Sequence, residues 1–351
     1  MLWRIDLPLI APAVALAMLL AFILVVGELG VPSTLRYPVF STEVFTQFAA
    51  FLNVQAAVAL SVPLAGLVLL GLGLERALLR RRVRFLARAR GDAARAGLGA
   101  WRIPAGVAAW AYALATVAAP LAGLALRARG RASYAAALNG AGSSIVRSVW
   151  MAAVAATLML VLGLLLAYAV ERGGRGRRDG LDTVLLLLFA APGTVLGVGL
   201  ILFWNRAGLA WLYASAAIVL VGWIGHFTPL AARAAGIGLR ALPEGTEAAA
   251  RLAGIPWSRA LWRIVVPLTR PALAGAWLLA FVFGLRDLDL AITIYPPGAE
   301  TLPIRVYTLM ANSPEVVTAA LALLMVALTA AVLLAGWAGL AAVRGWSRAW
   351  D

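Results

Sequence analysis

Residues 261–281, LWRIVVPLTRPALAGAWLLAF, occur in close copy at residues 2–22, LWRIDLPLIAPAVALAMLLAF. Fourteen of the 21 positions are identical, among them Trp3 and Trp262, Arg4 and Arg263, Pro8 and Pro267, Pro12 and Pro271, and Phe22 and Phe281. A gap-free repeat of this length makes the chain two related units. Each copy passes from a basic, tryptophan-bearing lead into an apolar run, the pattern of a helix entering a membrane from a charged surface. The first copy opens inside a motif that the second shows whole, so four further spans of the first unit are expected ahead of Leu2.

Working outward, composition agrees with a membrane chain. It is 63% hydrophobic and 13% charged, with a mean hydropathy of +0.93, too apolar for a soluble domain of this size. Cysteine is absent, which removes disulfides, Cys-ligated zinc and thiol chemistry. Lysine is absent too: all 30 basic residues are arginine. A P-loop, whose lysine reaches nucleotide phosphates, is therefore excluded, and so is Schiff-base chemistry. The net charge of +15 reads as arginine retained on the cytoplasmic side of a membrane rather than as a nucleic-acid surface.

The fold class is all-α, a polytopic membrane protein of about eight transmembrane helices. The charge-poor intervals are 9–31, 53–74, 104–126, 148–170, 183–204, 209–232, 272–291 and 317–342. Each is near the ~20 residues that cross the hydrocarbon, where only helices satisfy the backbone. With both termini in the cytoplasm, 22 arginines lie inside and seven outside, Arg286 falling within a span, as the positive-inside rule requires. The cluster Arg127, Arg129 and Arg131 runs against it. Three segments follow: 1–75 with two spans, a basic cytoplasmic linker at 76–103, and 104–351 with six spans.

The longest cytoplasmic loop of the second unit is 233–270, centred on PEGTEAAARLAGIPWSRALWRIVVP at 243–267. Residues 246–253 are alanine-rich and favour a helix. Gly254 suits a left-handed stop and Pro256 prevents continuation. Ser258 can cap a second helix, with Trp257 and Trp262 as a hydrophobic staple across the cap. The result is a helix–break–helix elbow at the membrane surface. Physics alone leaves two readings open, an elbow lying on lipid and an elbow that docks a partner.

This loop resembles the signature "EAA" loop of binding-protein-dependent ABC importer permeases (EAA-x3-G-x9-I-x-L-P). The fit runs through Ala249, Ala250, Gly254, Ile264 and Pro267. Two positions depart from the pattern: the usual glutamate falls on Ala248, with Glu247 just before it, and the usual leucine is Val266. Ala191–Leu200 (APGTVLGVGL) and Tyr295–Leu302 (YPPGAETL) resemble further stretches of the same family, the second in its ferric-iron and thiamine branch, where two permease halves are fused. The resemblance implies a MetI-like ABC type-1 transmembrane domain, whole over 104–343 and represented by its tail over 2–75. It implies a non-enzymatic transporter subunit in the bacterial inner membrane that binds no cofactor itself. ATP would sit on cytoplasmic ABC ATPase subunits, and an extracytoplasmic substrate-binding protein would deliver a small solute, ferric iron first and thiamine next. Lipid is the other partner, and no nucleic acid is implied. On this resemblance Glu247, Ala249, Ala250, Gly254, Trp257, Ile264 and Pro267 form the ATPase-docking loop.

Outside the loop, Leu285–Leu290 (LRDLDL) carries Asp287 and Asp289 near the outer end of a span, and Asp287 matches Glu28 of the first unit. Charges within spans usually face a cavity or each other. Glu28, Asp287 and Asp289 are therefore candidates for a translocation path, against a local Arg286–Asp289 pair. Pro192, Gly193 and Gly197 predict a kink and a small-residue face for helix packing. His226, the one histidine, reads as a hydrogen-bonded structural residue. No residue pattern suggests a metal site. The alternative function, an ion-coupled secondary transporter with repeated halves, would need coupling groups at mid-membrane, where the spans are nearly free of charge.

Overall fold

The structure, a computed structural model, describes residues 7–86, 99–243 and 245–347. Its regular elements are helical, with no strand among the described residues. In the first unit α1 (Leu7–Gly27), α2 (Gly30–Thr34), α3 (Phe40–Ala49) and α4 (Val54–Leu86) follow one another through short turns. The second unit begins with α5 (Arg102–Ala113) and α6 (Ala119–Arg127), joined by a wide π-turn over Leu114–Ala118, then α7 (Arg131–Arg172), α8 (Arg175–Ala190), α9 (Gly193–Trp204), α10 (Ala210–Tyr213) and α11 (Ala217–Arg240). The elbow supplies α12 (Thr246–Leu252) and α13 (Trp257–Ala260); α14 (Val266–Arg286), α15 (Asp289–Ile294), α16 (Leu302–Asn312) and α17 (Glu315–Ser347) complete the chain.

Among the described residues six helices are long and apolar enough to cross a membrane, seven if one bent pair is a single span. The eight expected intervals are matched only when the apolar helix α1 and the bent pair are each counted as one span. The interval 183–204, read as one crossing, is broken: α8 and α9 meet at 101°. The cause is Pro192, which has no N–H for the helical ladder and forces Ala191 into extended backbone at φ −65°, ψ 132°. Helix α4 continues past Leu74 to Leu86, into the segment read as a linker, and residues 87–98 lie outside the described residues.

The repeat is also a repeat of form. Helix α14 begins at Val266 and ends at Arg286, each 259 positions beyond the corresponding end of α1, and the short α15, then α16 and the long α17 follow as α2, α3 and α4 follow α1.

The core of the second unit is the triangle of α7, α11 and α14. Met151, Ala152, Ala155 and Met159 of α7 pack against Val219, Trp223, Phe227 and Ala231 of α11 and Ala280, Phe281 and Leu285 of α14. Between lipid-embedded helices the hydrophobic effect gives little, so close backbone approach must hold them. Gly163 of α7 provides it: a Cβ there would lie 2.9 Å from the amide nitrogen of Ala232. At 42 residues, α7 is about 63 Å long, twice the ~30 Å hydrocarbon thickness.

Candidate functional site

The elbow is built as helix, break and helix. Helix α12 ends where Gly254 takes φ +71°, a conformation that costs an L side chain about 1–2 kcal/mol. The second helix starts two residues earlier than a Ser258 cap would allow. Pro256 is its N-cap, in extended backbone, with no side-chain capping bond. Ser258 therefore lies inside the helix and is not a cap. Trp257 and Trp262 do not staple it either: Trp257 turns edge-on to Tyr168 of α7, with ring centroids 5.5 Å apart, while Trp262 is exposed.

From Trp257 the backbone runs without interruption to Arg286 through a π-turn at Leu261–Val265. In that turn the Val266 amide donates to the Leu261 carbonyl, five residues back. Pro267 follows directly; its ring crowds the carbonyl four residues earlier, which the wider turn relieves. Pro271 leaves the Pro267 carbonyl without its helical donor, and Arg270 Nε donates to it at 3.0 Å. The loop helix and the span are thus a single rod.

The elbow is fastened at its other end. Arg172 donates from Nε (2.9 Å) and Nη2 (2.7 Å) to Glu247 Oε1, and the Tyr168 hydroxyl donates to Oε2 at 2.7 Å. Tyr168 and Arg172 stand four residues apart on one face of α7, so one helix fills both oxygens of one carboxylate. Burial alone would raise the Glu247 carboxyl, but the bonds from Arg172 and Tyr168 outweigh it and hold the group below its ordinary range. Glu247 and Ala250 consequently turn toward the protein. Ala248, Ala249, Gly254, Trp257 and Trp262 are exposed, Leu252 is 91% exposed, and Ile264 and Pro267 are half-buried. The sequence reading missed Tyr168 and Arg172. Their one signal is the i, i+4 spacing at the C-terminal end of α7, where Arg172 passed as one more arginine of a basic run.

At its far end the rod reaches a cavity of about 300 Å³, lined by Glu28, Pro192, Gly193, His226, Phe227, Arg286, Asp287 and Asp289 among others. The three acidic candidates meet there. Asp287 is the most constrained: Trp223 Nε1 donates to its Oδ2 at 2.8 Å, and the Ala291 amide donates to the same oxygen at 2.9 Å, capping α15. Asp289 Oδ1 accepts the Leu29 amide of the first unit at 3.3 Å. Glu28 makes no side-chain hydrogen bond among the described residues, although its carbonyl accepts Ser41 Oγ at 2.6 Å. The Arg286–Asp289 pair does not form: Arg286 is exposed and has no ion-pair partner among the described residues. It follows the last turn of α14, whereas Asp289 turns toward the first unit. His226 lines the cavity with its Nδ1 buried and unpartnered.

Pro192 and Gly193 form one wall, and Gly197 lies one turn further along α9. A Cβ on Gly193 would lie 2.9 Å from Asp289 Cβ, and one on Gly197 2.7 Å from Thr293 Cβ. Helix α9 thus rests directly on α15 and holds the aspartates in place. A Cβ on Gly27 of α1 would lie 3.3 Å from Pro192, so both units close around the same break. Among the described residues no group of three acidic, histidine or cysteine side chains could hold a metal ion.

Residues 159–342 match the family model described as "Binding-protein-dependent transport system inner membrane component". The chain is 32% identical over 151 residues to the ferric transport system permease protein FbpB of Actinobacillus pleuropneumoniae, covering 43% of this chain and 22% of that protein. It is 31% identical over 180 residues to the putrescine transport system permease protein PotI of Escherichia coli, covering 50% and 64%. The matched stretch spans about a quarter of the length of the ferric-transport relatives, 26% and 22%. A solved structure of the MetNI methionine ABC transporter in inward-facing conformations aligns at 18% identity with a TM-score of 0.46, over 57% of this chain and 96% of that one.

Proposed function

The chain belongs to the family of binding-protein-dependent transport system inner membrane components, and from that premise we propose that residues 246–267 are the handle by which a separate cytoplasmic ATPase drives an importer. The observation that carries this is the continuous rod from Trp257 to Arg286. A push on the exposed elbow cannot be absorbed by a hinge before α14. It is delivered to Asp287 and, through α15, to the cavity between the units. Coupling of this kind needs an element with two arrangements that the ligand biases. The Glu247 attachment to α7 fixes one arrangement of the handle.

In this reading ATP binds only the partner ATPase, because the chain has no lysine to build a P-loop. Both termini and the elbow face the cytoplasm of a bacterial cell, and an extracytoplasmic binding protein hands over the solute on the opposite side. Residues 1–75 act as the tail of a first permease half and 104–351 as the second half. The carboxylates of Glu28, Asp287 and Asp289 suit a positively charged solute. Ferric iron is the first choice, since the ferric permeases FbpB are among the relatives. Thiamine is next, and the putrescine relatives fit the same preference for a cation. With no three-ligand metal group among the described residues, the carboxylates would guide an ion rather than hold it.

The test is the elbow. Gly254→Asp, or deletion of 246–258, should leave the protein in the membrane while abolishing co-purification of its P-loop ATPase. Undiminished co-purification of the ATPase with either variant would sink the docking role.

A further inference from the structure

Of the polar groups around the cavity between the units, some are already engaged by the protein. Asp287 commits Oδ2 to Trp223 and Ala291, and Asp289 gives Oδ1 to the Leu29 amide. Two groups are left over. Glu28 has no side-chain hydrogen bond among the described residues, and His226 Nδ1 is buried without a partner. A buried polar atom left bare is costly, so the group that serves Nδ1 has to come from inside the cavity.

Three phenyl rings frame the imidazole. The bend at Pro192 ends α8 beside α11 and sets Phe189 against His226, with centroids 6.4 Å apart and planes 29° from parallel. Phe227 meets the imidazole at 4.4 Å and 68°, and Phe283 completes the wall against Phe189 and Phe227. All four rings line the cavity. The imidazole also hydrogen-bonds the Leu188 backbone. With Nδ1 unpartnered, that bond falls to Nε2, which donates to the carbonyl. A neutral ring then carries its lone pair on Nδ1. The open nitrogen is an acceptor.

The lining therefore makes three demands. Glu28 and Asp289 ask for positive charge, and Arg286, the one guanidinium among the lining residues, is exposed and outnumbered. Phenyl faces tolerate and attract a cation. Nδ1 adds a requirement that charge alone does not meet, an N–H or O–H aimed at it. We propose that the cavity selects cations that carry hydrogen-bond donors, an ammonium or a hydrated metal ion, and that His226 Nδ1 is the acceptor that reads the donor. This rests on the cation reading given above and makes His226 a specificity-determining residue of that path. The cavity, about 300 Å³, is at the small end of solute sites.

The test uses the fact that His226 is the only histidine. Isotopic labelling of histidine nitrogen in the full-length protein, purified on a histidine-free tag into nanodiscs, gives one pair of ring signals by NMR. Three cations are titrated: putrescine for the ammonium, hexaamminecobalt for the hydrated metal ion, and tetramethylammonium as a cation without donors. A donor-bearing cation should move the Nδ1 signal upfield in a saturable way, and which of the first two does so separates the two sources. Tetramethylammonium should leave the signal in place. By calorimetry, His226→Phe, which keeps a ring in the wall, should weaken binding of the donor cation roughly tenfold or more. His226→Asn, which returns an acceptor oxygen, should recover most of that loss. An unmoved Nδ1 signal at saturating concentrations of both donor cations overturns the proposal, and that result needs no variant to fold. So does an equal shift with tetramethylammonium, or equal affinity of His226→Phe and the parent. Weaker binding in Glu28→Gln beside unchanged binding in His226→Phe would leave the cation reading standing and remove only the histidine from it. The titration contains no ATPase, so the outcome at the elbow does not bear on it.

Discussion

The two ends of the rod from Trp257 to Arg286 are secured by different physics. At the elbow the fastening is charge: one carboxylate, Glu247, satisfied on both oxygens by Arg172 and Tyr168. At the cavity it is contact: Gly193 and Gly197 let α9 bear on α15, and a neutral indole rather than a cation meets Asp287. The charged fastening sits where water can compete for it, with the Arg172 side chain 40% exposed. It can be released and remade at small cost. The packed one cannot be loosened without moving backbone. In the proposed coupling role, a lever with a releasable grip at one end and a fixed seat at the other would suit repeated cycling.

The contrast can be broken most forcefully by volume. Gly197→Leu should cost about 3 kcal/mol in thermal unfolding in detergent, because its first added carbon would already lie 2.7 Å from Thr293. Gly199→Leu, two residues along with nothing within 4 Å, should stay within about 0.5 kcal/mol. Equal losses for the two would mean that α9 is not seated on α15. Next comes Asp287→Ala, which strands the Trp223 N–H and should cost about 2 kcal/mol; Asp287→Asn, which keeps an acceptor oxygen, should recover most of it in the same assay.

At the elbow, Glu247→Ala should cost about 1 kcal/mol, discounted for the exposure of Arg172. Hydrogen exchange should quicken in α12 while the cavity is undisturbed, and high salt should shrink the difference from the parent. A salt-independent loss would show that packing, not charge, holds the elbow. The pH response sharpens the same point. Glu247 has its folded pKa depressed, so its contribution is complete above the ordinary 4.5 and disappears as pH falls through the lower folded value. A spin label at Leu252→Cys, in a chain with no other cysteine, should become more mobile only below about pH 4.5. The smallest effect belongs to Glu28→Gln. It removes no hydrogen bond seen among the described residues, so stability should move by less than about 0.5 kcal/mol. Uptake of a cationic solute, measured in proteoliposomes with the ATPase, should fall.

What could be read ahead of the structure was whatever short-range chemistry dictates. The helical class follows from apolar runs in lipid, the stop at Gly254 from its missing Cβ, and the break at Pro192 from its missing N–H. What could not be read was long-range. Nothing near Glu247 in sequence announces Tyr168 and Arg172, 79 and 75 residues away, and nothing near Asp287 announces Trp223. The local rule also misplaced the cap. Ser258 and the two tryptophans satisfy a capping pattern on paper, but Pro256, fixed in extended backbone, takes the N-cap position, and Trp257 finds a better partner in Tyr168. The size of the Pro192 bend was likewise illegible, since a proline permits a range of angles and neighbouring helices select one.

The π-turn at Leu261–Val265 has an implication for design. An α-helix turns about 100° per residue, so this turn holds roughly one residue of surplus winding between the grip and the shaft. Removing a single residue there should restore ordinary winding and swing Trp257 around the axis while leaving the shaft's own register against α7 and α11 intact. The compass bearing of the grip is therefore an adjustable parameter, separable from everything above it.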